Sequence, residues 1–298
     1  MKKIFSKRRE SLTGAAFVYP GLIYMMLLIG YPIVYNFIIS FQYMDVTTVK
    51  SGNAEWVGFE NYSTLFRDDI LLKVMGQTFT FTFWCILFQF GIGLLLAIFF
   101  NQKFAAAKAV RGLLLVVWVV PMTVTAFIFK FMFQTDGGLF NVLLSVIDVA
   151  PVSWLTSESW AMFSVIFTNC WVGIPFNMIL LVAGLNGISQ DIYESASIDG
   201  ANGIMKFFKI TLPMLKPAII SVLILGVIYT FKVFDLVQVM TFGGPVNSTH
   251  LLSTYSYRLA FAEYRFSEGA AVANILFICL LLVALLYLGL IKKEEEEI

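Results

Sequence analysis

Charge is scarce in this sequence. Asp, Glu, Lys and Arg make up 13% of its 298 residues, about half of the roughly 25% usual in a soluble domain. Twenty basic against 19 acidic side chains leave a net charge of +1, so no overall field draws the chain to nucleic acid. His250 is the sole histidine. Beside Thr249 in a polar loop it reads as a surface residue, and it leaves no Ser-His-Asp or Cys-His triad and no His-rich metal site. Cys85, Cys170 and Cys279 lie far apart in apolar runs, which implies neither a disulfide framework nor zinc. No Gly-x-x-x-x-Gly-Lys-Ser/Thr run is present to cradle nucleotide phosphates. The abundant part is apolar: 59% hydrophobic residues, including 30 Phe, 12 Tyr and 6 Trp, with a mean hydropathy of +0.84. This is the composition of a polytopic membrane protein.

A helix needs about 20 mostly apolar residues to cross the hydrocarbon. Six stretches qualify: 15–41, 76–100, 110–133, 160–186, 218–240 and 270–291. The first continues through Tyr31-Pro32 to Phe41, too long for the apolar core of a cleaved signal, and reads as a span. Leu139 to Ile147 reads as a short interfacial or re-entrant helix, and Trp56-Val57-Gly58-Phe59 as an aromatic interface anchor.

The basic residues give orientation. Lys2, Lys3, Lys7, Arg8 and Arg9, then Lys103, Lys108 and Arg111, then Lys206, Lys209 and Lys216, then Lys292 and Lys293 all fall on one side. The other side has Lys50, Arg67, Lys73, Arg258 and Arg265. Positive-inside logic places both termini in the cytoplasm of a multi-pass plasma-membrane protein. Lys130 and Lys232 sit within spans, and Lys130, four residues before Gln134, reads as a snorkelling side chain.

The loop 187–217 is unlike the others. It runs Glu194-Ser195-Ala196, then Asp199-Gly200-Ala201, then Phe207, Ile210, Leu212 and Pro213. Small residues with a carboxylate, a glycine break and a proline stop suit close docking against another protein. An ordinary helix on the membrane surface is the alternative. The spacing resembles the EAA loop of binding-protein-dependent ABC importer permeases, with Ser195 where Ala is usual. Asp199, Ala201 and Phe207 extend the match toward the carbohydrate-uptake branch, relatives of the maltose-transporter permeases. Pro20 with Tyr31-Pro32, the Val57 to Tyr62 segment, and Thr241 to Pro245 through Phe261 are similar to the same branch. The likeness covers about residues 15–290.

That resemblance implies an all-α integral membrane protein of the type I importer permease fold, six transmembrane helices with a cytoplasmic coupling helix, in one domain over 1–298. Glu194, Ser195, Ala196, Asp199, Gly200 and Ala201 would contact an ATP-binding subunit. Glu194 would pair with a basic residue there, and Gly200 would permit a sharp turn. The chain would be a transport subunit rather than an enzyme, holding no cofactor, with ATP and Mg in a partner ATPase. Its partners would be a second homologous permease, two ATP-binding subunits, an extracytoplasmic solute-binding protein, the sugar and the lipid bilayer, with no nucleic acid.

Sugar sites combine aromatic faces with amides and hydroxyls. The fourth span offers Asn169, Trp171, Gly173 and Phe176; the fifth offers Tyr229, Thr230, Lys232 and Asp235. Asn169, Gly173 and Phe176 share one helical face, and in maltose-type permeases an Asn and a Gly so placed contact sugar. Helix–helix glue is the alternative role for the Asn and Gly. Lys232 and Asp235, at i and i+3, can pair, either on the pathway or as a structural ion pair. The substrate reads as an oligosaccharide. A glycerol-phosphate-type ester would ask for clustered Arg in the outer loops. A stand-alone carrier would ask for inverted repeats, and a membrane enzyme for a carboxylate pair or metal cluster.

The orientation is directly testable. In a background lacking the three cysteines, Ser145→Cys should react with an impermeant maleimide on intact cells, and Ser197→Cys only after lysis. Labelling of Ser197→Cys in intact cells would overturn the topology.

Overall fold

A computed structural model describes residues 17–52, 54–102, 104 and 106–296. The N-terminal basic cluster, Lys103 and the first residues of the span expected from 15 lie outside them. The helices are α1 (Phe17–Ser40, with a π-turn at Met26–Gly30), α2 (Val46–Ser51), α3 (Glu60–Arg67) and α4 (Asp69–Asn101). Then come α5 (Ala107–Val119), α6 (Met122–Met132), α7 (Leu139–Ser145), α8 (Glu158–Asn186) and α9 (Gln190–Ile198). The last are α10 (Gly203–Met214), α11 (Lys216–Phe231), α12 (Asp235–Met240), α13 (Leu252–Tyr257) and α14 (Phe266–Glu296). Strands β1 (Gln42–Tyr43) and β2 (Glu55–Trp56) form a small antiparallel ladder.

Among the described residues, α1, α4, α8 and most of α14 are each long and apolar enough to cross a membrane, and two bent pairs raise the number to six. The first bent pair corrects the expected straight span 110–133. α5 and α6 meet at 94°, because Pro121 cannot donate to the helix ladder and forces Val120 into extended backbone (ψ 130°). The second is α10 with α11, bent by 65°. The expected span 218–240 is also interrupted: α11 ends at Phe231 and α12 starts at Asp235. The 139–147 expectation becomes α7.

Two compact units divide the chain. One comprises described residues 17–67 with Ser256–Asn274. Here polar side chains join the helices: Asn36 Nδ2 donates to Asn274 Oδ1 at 2.6 Å, and Asn274 Nδ2 to the Tyr62 hydroxyl at 3.1 Å. Tyr62 donates to Ser40 Oγ at 2.8 Å, while Asn61 Nδ2 bridges the Ser40 and Gln42 carbonyls. Trp56 stacks on Phe41 at 5.7 Å and Phe59 meets it edge-on at 5.1 Å. Asp45 caps α2, and the Thr48 backbone N–H, helped by the Thr47 hydroxyl, holds its carboxyl down at about 2.

The other unit, Asp68–Tyr255 with 275–296, is organised on the α4/α8 pair. Its core has two parts. Phe81, Cys85, Phe129, Val165, Leu236 and Met240 fill one, and Ala97, Met178, Leu181, Leu185, Leu215 and Val222 the other. His250 corrects the surface expectation: it is 3% exposed, with Nδ1 3.1 Å from Thr254 Oγ1. Gly243 at φ +82° lets the loop fold over it, since a Cβ there would lie 2.2 Å from the ring. Lys130 reaches from α6 to the end of α12. Its Nζ donates to the Val239 carbonyl at 2.8 Å, closing the C-terminal end of α12.

Asn141 on α7 fixes the chain ahead of α8. It donates to the Thr135 and Val152 carbonyls and accepts from Val152 N–H and Trp154 Nε1, each at 2.9 Å. Asn141→Ala would orphan several buried groups at about 1–3 kcal/mol each. Its thermal midpoint in detergent should fall by several degrees, and an unchanged midpoint would remove Asn141 from this role.

Candidate functional site

The residues singled out from sequence separate into two places on the larger unit. At the end of α8, Ser189 caps α9, its hydroxyl accepting from Asp191 N–H at 3.3 Å. The helix closes in a Schellman motif: Ala201 N–H donates to the Ala196 carbonyl at 2.9 Å and Gly200 N–H to Ser197 at 3.2 Å. Gly200 has φ +81° and nothing within 4 Å of the Cβ it lacks, so the requirement for glycine is conformational. Glu194, Ser195, Asp199 and Gly200 are exposed, whereas Ala196 and Ala201 are half-buried. The Tyr193 hydroxyl meets Thr211 Oγ1 at 2.9 Å, and Lys206 Nζ donates to Ser197 Oγ at 2.5 Å, so α9 is held against α10. Around this frame Ile198 and Ile204 are 87% and 73% exposed. Glu194 and Ile198 thus stand one turn apart on the solvent side of a preformed, capped helix.

The second place is within the spans. Phe176 of α8 lies nearly parallel to Trp118 of α5, centroids 5.2 Å apart and planes at 16°, and edge-on to Tyr229 of α11 at 6.1 Å. Lys232 Nζ stands 5.2 Å from the centre of the Tyr229 ring. Three helices thus bring three rings and a cation together, and the stacked pair offers a flat face.

Other expected members do not join them. Asn169 is buried, and its carbonyl accepts from Gln89 Nε2 of α4 at 3.1 Å. The space a Cβ on Gly173 would take is filled by the Gln89 amide, 2.3 Å away. Asn169 and Gly173 therefore sit where α8 approaches α4. Trp171, five residues before Phe176, points about 140° away round the helix and faces Phe129 at 6.0 Å. Thr230 is buried. The expected Lys232–Asp235 pair is not formed: the helix breaks between them, so they lose the i, i+3 relation, and both are exposed. Trp118 was missed from sequence. Its one signal is a Trp three residues before Pro121 in a span, and only the bend shows what it faces. Among the described residues no His, Cys, Asp and Glu side chains gather as a metal site.

Comparison with known proteins places this geometry. The family described as "Binding-protein-dependent transport system inner membrane component" matches residues 89–293. The trehalose/maltose transport system permease protein MalF of Thermococcus litoralis is 34% identical over 285 residues, 95% of this chain and 94% of that protein. The arabinooligosaccharides transport system permease protein AraP of Bacillus subtilis is 31% identical, covering 98% of this chain and 91% of its own. A chain of a bacterial alginate ABC transporter, solved in complex with an alginate pentasaccharide-bound periplasmic protein, shares the fold with TM-score 0.81. It is 23% identical and covers 95% of this chain and 94% of its own.

The two glycines should fail differently. Gly200→Val strains only an exposed turn, by roughly 1–3 kcal/mol, so the chain should reach the membrane as monodisperse protein with a modest fall in thermal stability. Gly173→Leu must displace Gln89 from the α4/α8 contact and should lower the yield of monodisperse protein. Equal stability of the two variants would contradict this placement.

Proposed function

The chain belongs to the binding-protein-dependent transport system inner membrane component family, and from that premise we propose that it is the permease subunit of an ATP-driven sugar importer. It is a multi-pass membrane protein. In this reading both termini are cytoplasmic and residues 1–298 form one permease domain. It works beside a second, homologous permease, two ATP-binding subunits that hold ATP and Mg, and an extracytoplasmic solute-binding protein. The hydrolysis belongs to those ATP-binding subunits.

The observation that carries the reading is α9, closed at Gly200 and presenting Glu194 and Ile198 to solvent at the end of α8. A helix that is stiffly capped and bound to α10 transmits a push from a docked ATPase instead of absorbing it. Glu194 supplies a charge contact and Ile198 an apolar one. α8 continues from this end to Phe176, so movement of the loop reaches the platform through one helix.

The substrate class is an oligosaccharide. The two relatives carry trehalose or maltose and arabinooligosaccharides in their names, and the Trp118–Phe176–Tyr229 group suits the C–H faces of sugar rings. A glycerol-phosphate-type ester is less well supported. The cation at the platform is Lys232, without the bidentate fork that phosphate favours.

Purification of the tagged chain from its native membrane should bring an ATPase with it, and proteoliposomes should take up sugar only with ATP and the binding protein. Glu194→Lys should abolish ATPase association, and a charge reversal in the ATPase groove should partly restore it. Trp118→Ala and Tyr229→Ala should keep the ATPase but weaken uptake, each ring contributing about 1 kcal/mol or roughly fivefold. Wild-type uptake by Glu194→Lys complexes would sink the proposal.

A further inference from the structure

α8 is 29 residues long, about 43 Å at 1.5 Å per residue, so its N-terminal end is remote from the α9 loop at its other end. There the segments after α6, before α8 and after α12 enclose a cleft of about 340 Å³. Lys130, Gln134, Thr135, Thr156, Thr241 and Phe242 are in its lining.

Phe242 is the unusual member. Its φ of +52° lies in the left-handed region, which bulky side chains avoid, and its ring is 65% exposed. The surrounding chain holds it there. Phe242 N–H donates to the Val237 carbonyl at 3.0 Å, and the Thr249 hydroxyl donates to Gly244 at 2.8 Å. Lys73 and Gln77 of α4 reach the Val246 and Asn247 carbonyls at 2.9 Å each. Lys130 stands 5.6 Å from the ring centre. Neither burial nor backbone preference explains an aromatic ring fixed in this way. Outliers that the surrounding structure enforces cluster at ligand clamps. Beside the ring, the Gln134 amide and the Thr135 and Thr156 hydroxyls make no hydrogen bond among the described residues, so they are available to a ligand.

We propose that this cleft is a second sugar subsite, taking one or two rings of an oligosaccharide ahead of the Trp118–Phe176–Tyr229 platform. Phe242 offers its face to the C–H side of a ring. Gln134, Thr135 and Thr156 supply donors and acceptors for hydroxyls, and Lys130 adds a cationic donor. The volume is near the lower end for small-molecule sites, about 300–1,000 Å³. Amide and hydroxyl groups that line the cleft beside the ring, Gln134 and Thr156 exposed and Thr135 half-buried, favour a sugar over an apolar protein loop. The ligand class rests on the sugar-permease reading above; the location does not.

The test uses the assembled, nucleotide-free transporter in nanodiscs without its binding protein. Trehalose, maltotriose and an alginate trisaccharide are probed by saturation-transfer NMR, first in the wild type and then with Phe176→Ala/Tyr229→Ala to remove the platform. At least one probe should still saturate in that background. Phe242→Gly, which removes the ring and suits the left-handed backbone, should cut the signal by about fivefold. Thr156→Trp, which fills the cleft, should do the same, with assembly checked by gel filtration for both. Saturation that needs the platform and ignores both cleft variants overturns the subsite and leaves the sugar-permease reading standing. No saturation by any probe, even in the wild type, overturns the subsite, while the sugar-permease reading is decided by the uptake assay above. If, in a parallel pull-down with the binding protein added, Phe242→Gly instead loses its capture while the sugar signals stay unchanged, the cleft is a protein-docking surface and the proposal is wrong.

Discussion

Inside hydrocarbon every peptide N–H and C=O needs a partner within the protein, and the larger unit is shaped by where that demand is met without a continuous helix. Pro121 interrupts one span, and its carbonyl accepts from Val124 and Thr125 at 3.0 and 3.1 Å as α6 restarts. At the second interruption, residues 232–234, Val233 N–H returns to the Thr230 carbonyl, and Ser253 Oγ donates to Val233 at 2.5 Å. Lys130 satisfies the Val239 carbonyl that α12 leaves open. Once these groups have partners the breaks become fixed geometry. Trp118 lies in the last turn of α5 and Tyr229 in the last turn of α11, and both rings meet Phe176 where the chain turns away just beyond them.

The unbroken helices have the opposite role. α4 and α8 approach closely enough that Gln89 occupies the space above Gly173, a contact that van der Waals packing and one interhelical hydrogen bond can sustain in lipid. α8 carries Phe176 within the spans and ends in the loop that begins α9. Under the docking role proposed for α9, one rigid helix links that loop mechanically to the aromatic platform. The small displacement of a packed helix against its neighbours is the expected kind of motion.

Buried polar side chains hold the loops with similar economy. Asn141 gathers five groups from the 134–154 segment, and His250 lies under Gly243 in the 241–251 loop. Asn36, Asn274, Tyr62 and Ser40 form a chain of contacts in the smaller unit. Each finds hydrogen-bond partners within the protein, as most buried polar groups do.

Apolar run length made a multi-pass membrane protein legible from sequence, because spanning a bilayer imposes a length that any hydropathy window detects. The Glu194 to Pro213 spacing was legible for a related reason: a capped helix with a left-handed glycine is local chemistry, and Gly200 at φ +81° satisfies it. Contacts between distant segments were not. Asn169 and Gly173 share a face with Phe176 by periodicity, yet only the approach of α4 decides that Gln89 covers the first two and leaves the third to Trp118 and Tyr229. Lys232 and Asp235 are spaced to pair on a helix that the tertiary structure breaks. His250, polar in a polar loop, is buried because the loop folds over it. Helical periodicity reports direction along one element; which neighbour fills that direction is decided by packing among all of them.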